Sequence, residues 1–207
     1  AFVETDLDLA SRLRAVVREL GAALSSCVGI ALLQADGLLH TSAAYHPVPE
    51  AERLLAKLGE AVPLRRGEGV SGLVAETGQS VLIPSIEPRE LAARAAAAYR
   101  EFLVRYPSYA MICAPLRARD QIIGVVTATR TRPGETYTEN DLHLLEQLAE
   151  RAGGAIENGR LYQEMVEARS RAEQLYRFAQ AVVVADRVEW IYEAALTSIE
   201  AALGTER

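Results

Sequence analysis

The stretch from Tyr109 to Tyr162 leaves the chain little freedom. YAMICAPL is an apolar strand, RARDQ a basic turn, IIGVVTATR a second strand, and TYTENDLHLLEQLAERAGGAIENGRLY a long helix, read without a gap. The connection from Arg117 to Gln121 is short and polar, which predicts an antiparallel hairpin over 109–116 and 122–131. On its second strand Ile123, Val125, Thr127 and Thr129 should point one way, and Ile122, Gly124, Val126 and Ala128 the other. Two local signals mark the helix start. Thr138 and Asp141 are spaced as a capping box, and Tyr137 and Leu142 as a hydrophobic staple. The pattern runs without a proline past residue 180, and the stretch 139–168 alone would span roughly 45 Å. Part of that helix is expected to project beyond a small domain.

Upstream, Leu9, Leu13, Val16, Val17, Leu20 and Leu24 repeat at helical spacing and predict a helix over 6–25. CVGIALLQ and LLHTSAAY flank Ala35-Asp36-Gly37, a tight-turn signal that makes them a first strand pair. Residues 49–60 read as a short helix opened by Pro49 and closed by Gly59. Pro88 opens another that runs through the alanine-rich ELAARAAAAYREFLVRY and stops before Pro107. GEGVSGLVAETGQSVLIPS contains Gly67-x-Gly69-x-x-Gly72, the glycine spacing of a dinucleotide fingerprint. That fingerprint needs a preceding strand and a full helix after it. Only Val62-Pro63-Leu64 precedes, and Gly78 ends the helix after barely two turns.

These segments together resemble a GAF domain. The hairpin and capped helix resemble its C-terminal half. Gly67, Gly69, Gly72, Thr77, Gly78, Ile83 and Pro84 match its glycine-rich turn, short helix and strand ending in Ile-Pro. The resemblance implies an α+β fold over residues 1–167, an antiparallel sheet with the terminal helices on one face and pocket helices and loops on the other. It also implies a non-catalytic sensory and dimerising module of a multidomain bacterial signalling protein, such as a sensor histidine kinase of a two-component system. A further likeness lies in the tail. Offset by 179 positions, Leu9, Leu13, Val17, Leu20 and Leu24 fall on Val188, Tyr192, Leu196, Ile199 and Leu203, and ALGTER resembles the run into a first GAF strand. Residues 168–207 are accordingly read as a connecting helix and the truncated start of a second GAF-like domain, with a plain amphipathic dimer helix as the alternative.

Composition narrows the function. The 207 residues carry a net charge of -6, which argues against nucleic acid, since phosphate binding relies on clustered Lys and Arg. Arg117, Arg119, Arg130 and Arg132 cluster locally, as solvated turns flanking strands do. No segment reaches the roughly 18 apolar residues of a membrane helix and no signal pattern opens the chain, so a cytoplasmic location is expected. Cys27 and Cys113 lie in apolar strands without Cys-x-x-Cys spacing and read as inert core thiols. His40, His46 and His143 have no i, i+4 partner, so neither a metal nor haem is expected. Nucleophile elbow, P-loop, phosphoacceptor and cyclase signatures are all absent, and no enzyme is expected. The free methionine sulfoxide reductases of the same fold use several cysteines in a motif this chain lacks. A small thiol-dependent redox enzyme is nonetheless retained as an alternative, beside a ligand-free dimerisation and linker module.

By the resemblance, a small-molecule ligand would lie beneath the glycine-rich turn and the helix before the penultimate strand. Carried over position by position, that names Val70, Ser71, Ser108 and Thr127, and more loosely Tyr99, Phe102 and Gly29. The cyclic-nucleotide members carry Asn-Lys and then Phe-x-x-x-Asp-Glu, where this chain has Thr129-Arg130 and Tyr137-x-x-x-Asp141-Leu142. Only the aromatic type and the aspartate match, and bilin motifs are missing. The cofactor expectation is therefore none of cyclic nucleotide, haem or bilin, and a pocket filled by side chains stays an alternative. For partners, a parallel homodimer is expected through Leu145, Ala149, Ala152, Ile156, Gly159 and Val166, which repeat at three-four spacing. Small Ala152, Gly153 and Gly159 would allow close approach there. Adjacent domains of the parent protein complete the list of partners.

Overall fold

Alternating apolar strands and short glycine-bounded helices assemble here around one sheet. A computed structural model describes the chain course at residues 2–24 and 26–202. Strands β1 (Cys27–Leu33), β2 (Leu39–Tyr45), β3 (Val81–Ile83), β4 (Ala110–Ala118) and β5 (Gln121–Arg130) pair antiparallel throughout, in the order β2-β1-β5-β4-β3. Helices α1 (Phe2–Leu24), α2 (Pro49–Ala61), α3 (Gly69–Thr77), α4 (Pro88–Arg94), α5 (Ala97–Arg105) and α6 (Glu139–Ala202) complete the fold. The chain divides into two compact units, 1–159 and 160–207. ALGTER lies outside the described residues after Ala202, so its likeness to a strand entry has no structural counterpart.

Period-two alternation sorts the first unit's side chains into two cores. On one face Val28, Ile30, Ile112, Ala114, Leu116, Val126 and Ala128 meet Leu13 and Val17 of α1 and Leu145, Ala149 and Ile156 of α6. On the other, Cys113 and Val125 meet Val74 and Ala75 of α3. Terminal helices thus cover one face and the intervening helices the other, the expected arrangement. Pro115 is tolerated in β4 because β3 pairs only with Met111 to Cys113, leaving the Pro115 side of the strand without a ladder partner.

The helix start at 139 is as expected. Asp141 Oδ2 accepts from the Thr138 backbone N–H at 2.7 Å, and the Asp141 N–H donates to Thr138 Oγ1 at 3.3 Å. Tyr137, read as a staple, does more. Its ring lies under the Arg130 guanidinium, 4.4 Å from the centroid, and its hydroxyl donates to Ser26 Oγ at 2.7 Å. Arg130 also donates to the Leu24 carbonyl and to Ser26 Oγ. The end of α1, the end of β5 and the start of α6 are joined in that one cluster.

Four expectations are corrected. Gly59 does not close α2, which continues to Ala61; it is buried, and a Cβ there would land on the Thr41 side chain. The alanine run does not carry one helix: Ala95 and Ala96 are extended, at ψ 154 and 143, and they separate α4 from α5. Tertiary anchoring overrides propensity there. Phe102 of α5 and Tyr106 just after it pack on His46, and Arg105 pairs with Glu50 of α2 at 2.9 Å. The hairpin connection is not Arg117 to Gln121 but the two residues Arg119 and Asp120, both at positive φ. A bulge then sets the register: Arg117 pairs with Ile122 and Leu116 with Gly124, so Ile123 is the extra residue. Alternation holds from Gly124 to Thr129 and is reversed before it. Ile123 packs on the helix-side core, and Ile122 reaches the neighbourhood of Gly78 at the end of α3.

Candidate functional site

One row of the sheet brings most of the candidate residues together. Across all five strands Ala44, Gly29, Thr127, Cys113 and Val81 stand side by side. Because Val28 and Ile30 point to the terminal helices, Gly29 points to the α3 face. A Cβ on it would meet nothing within 4 Å, so the sheet is open above it. Gly67 and Gly69, at φ 79 and 62, turn the chain into α3. The Gly67 N–H donates to the Gly72 carbonyl at 2.9 Å, which ties the entering loop to the first turn of α3.

Ser71 of that turn reaches the row. Its Oγ lies 3.2 Å from Thr127 Oγ1, and Thr127 donates in turn to Cys113 Sγ at 3.3 Å. Val70 beside it packs against the second core and forms a wall. Burial pushes the Cys113 thiol up to about 11, against the pull of the Thr127 and Ser71 hydroxyls. Cys27, on the same sheet face, is also pushed up to about 11 by burial, with the Thr129 hydroxyl opposing. Burial thus disfavours the thiolate form at both positions.

The remaining candidates scatter. Tyr99 of α5 is half-buried and its phenol is raised by burial, with the Thr41 hydroxyl as a hydrogen-bond partner. Phe102 is spent on anchoring: its ring packs edge-on to His46 at 6.4 Å and tilted on Tyr106 at 5.3 Å. Ser108 is buried just ahead of β4. Sequence reasoning missed Cys113 as a member of the hydroxyl row and Thr41 as the partner of Tyr99. Strand alternation could have suggested Cys113, but only with the bulge known. Among the described residues no group of three or more His, Cys, Asp or Glu side chains could hold a metal. A separate open depression on α2, over Glu50, Arg53, Leu54 and Lys57, lies away from the row.

The helix stripe read as a dimer seam is corrected in part. Leu145, Ala149 and Ile156 are buried in the chain's own core and Ala152 packs against it, because α1 and the sheet take up that face. A Cβ on Gly153 would land on the Arg117 backbone, so this glycine admits the end of β4 rather than a second helix. Gly159 has open space around it. Val166 is 47% exposed.

A five-stranded antiparallel sheet with terminal helices on one face, and a glycine-rich turn over a half-open row on the other, defines an α+β domain. The sequence profile of the GAF domain matches residues 8–156, and the chain belongs to that family. No curated protein matches the sequence. Among solved structures, the chain is similar to the GAF domain of a phosphoenolpyruvate-protein phosphotransferase (ptsP) from Coxiella burnetii, with 18% identity, TM-score 0.57, and 75% of this chain and 86% of that one covered. It is similar to the second GAF domain of DevS from Mycobacterium smegmatis, at 16% identity, TM-score 0.57, and 76% and 99% covered. It is similar also to the free methionine-R-sulfoxide reductase from Neisseria meningitidis, whose structure holds its substrate, at 19% identity, TM-score 0.56, and 74% and 81% covered. At such identities the likeness establishes the fold. Among the described residues no helix is long and apolar enough to cross a membrane.

Proposed function

We propose that this chain is a non-catalytic sensory module of a bacterial signalling protein, which takes up a small, mostly neutral molecule over Gly29 and relays its presence through the terminal helices. The observation that carries the reading is the opening above Gly29 beside the Ser71–Thr127 hydroxyl pair. Likeness to a domain from a two-component sensor histidine kinase protein of Sinorhizobium meliloti, at 16% identity and TM-score 0.53, supports the signalling context. The reductase reading is disfavoured because burial opposes the thiolate at both cysteines. Screening a metabolite library by melting temperature tests the reading: a hit should raise the transition of the wild type and leave Thr127→Phe unmoved. A hit that shifts both equally removes the site.

Relay through the helices is proposed to use a homodimer. Leu13 and Val17 are buried, whereas Tyr192 and Leu196, their counterparts in the 179-residue offset, are 66% and 59% exposed. Tyr162, Met165, Val166 and Tyr176 add exposed apolar surface along the same helix, and such surface favours a partner. Light scattering at micromolar concentration should report a dimer that Val166→Glu weakens. A monomer at all concentrations would end this part of the proposal.

A further inference from the structure

We propose that the sheet corner at Arg117 is a strap between α3, which walls the site, and α6, so that lifting α3 loosens α6 at Gly153 and pressure on α6 there lifts α3. The strap rests on the relay reading above for its purpose, but it is tested without a ligand and can fail while the site stands. Arg117 touches both layers. Its Nη2 donates to the Gly78 carbonyl at 2.6 Å, a cation set at the C-terminal end of α3, where the helix dipole favours positive charge. Its own carbonyl packs against the bare Cα of Gly153 in α6, where a Cβ would have no room.

The residues opposite repeat this division. Arg117 pairs with Ile122, and the bulge adds Ile123 before Gly124, so two consecutive side chains go to opposite layers: Ile122 lies against Gly78, and Ile123 packs on the core that α6 shares. The corner is otherwise lightly held. β3 pairs only with Met111 to Cys113, so among the described residues the outer side of β4 from Ala114 onward has no ladder. α3 is fastened to the hairpin at two points, by Ser71 at Thr127 and by Gly78 at Arg117. A helix of barely two turns held at both ends transmits a pull at one to the other, and the second end leads to α6.

Val74 and Ala75 of α3 pack with the buried Cys113, so the rate at which maleimide labels that thiol in the full chain, resolved from Cys27 by peptide mass, reads the lifting of α3. Arg117→Met keeps the stem and loses the donors. It should raise the Cys113 rate roughly fivefold, the scale of one exposed hydrogen bond to a charged group, and raise amide exchange in 149–156 as well; Arg117→Lys should recover much of both. Gly153→Ala, which presses on the Arg117 carbonyl, should raise the Cys113 rate about threefold with Arg117 present and add nothing in Arg117→Met. Equal factors in the two backgrounds overturn the strap. So does an Arg117→Met chain whose Cys113 rate is unchanged, or whose Cys113 is exposed while exchange in 149–156 stays as in the wild type. If Gly153→Ala shows no cooperative melting transition, the Arg117→Met exchange comparison decides alone.

Discussion

Gly59 and Gly78 read alike in the sequence, each a glycine near the end of a short helix, and they do different work. Gly78 takes φ 69 and caps α3, where a left-handed residue is wanted and only glycine enters freely. Gly59 stays helical inside α2 and gives up its side chain to the approach of Thr41. In an exposed helix Gly→Ala gains about 1 kcal/mol. Gly59→Ala is expected to reverse that sign and cost about 1–3 kcal/mol through overpacking, read as a lower urea midpoint. A raised midpoint would mean that β2 yields to the new methyl. Nothing local distinguishes the two glycines: one answers to backbone torsion and the other to a strand well upstream, and only the first kind is legible from neighbours in sequence.

At the scale of elements, the β4–β5 hairpin has the most to teach. Arg119 and Asp120 sit at φ 48 and 64, the torsions of a two-residue turn usually filled by Asn-Gly. A left-handed residue with a side chain costs roughly 1–2 kcal/mol. The double substitution R119N/D120G should raise stability by about 1 kcal/mol after the entropy cost of glycine, measured from denaturant unfolding. No gain would mean that Arg119 or Asp120 makes a compensating contact. The strands themselves were legible from alternation, and the capping box at Thr138 from spacing alone, since both are written in adjacent residues. Register was not. A two-residue turn without a bulge would set Cys113 opposite Val126, on the helix side; the extra residue Ile123 moves it opposite Thr127, and so into the site. The break at Ala95–Ala96 was hidden for a similar reason, because the pull of His46 and Glu50 on α5 comes from elsewhere in the chain and outweighs four alanines.

For the molecule as a whole, His46 makes acid the informative stress. It is buried, its Nδ1 accepts the Val48 N–H at 3.0 Å, and the rings of Phe102 and Tyr106 close over it. Burial lowers its pKa, with the Glu52 carboxylate opposing; Glu52 is itself paired with Arg18 at 3.1 Å, and the Tyr106 phenol ring packs on the imidazole. A lowered folded-state value means that the unfolded chain takes the proton first. Stability is then whole above the ordinary histidine value of about 6.5 and is lost as the pH falls through it towards the folded value. The melting temperature is expected to drop between about pH 7 and pH 5, and His46→Gln to flatten that part of the profile; an identical profile would clear His46 of the effect. The same reasoning about distant partners bears on how the domain could be dissected. Ser26 receives both Tyr137 and Arg130, so the entrance and the exit of the domain are tied with one knot. A graft that borrows the exit helix as a ready-made lever, and leaves residues 24–26 behind, takes the handle without its hinge pin.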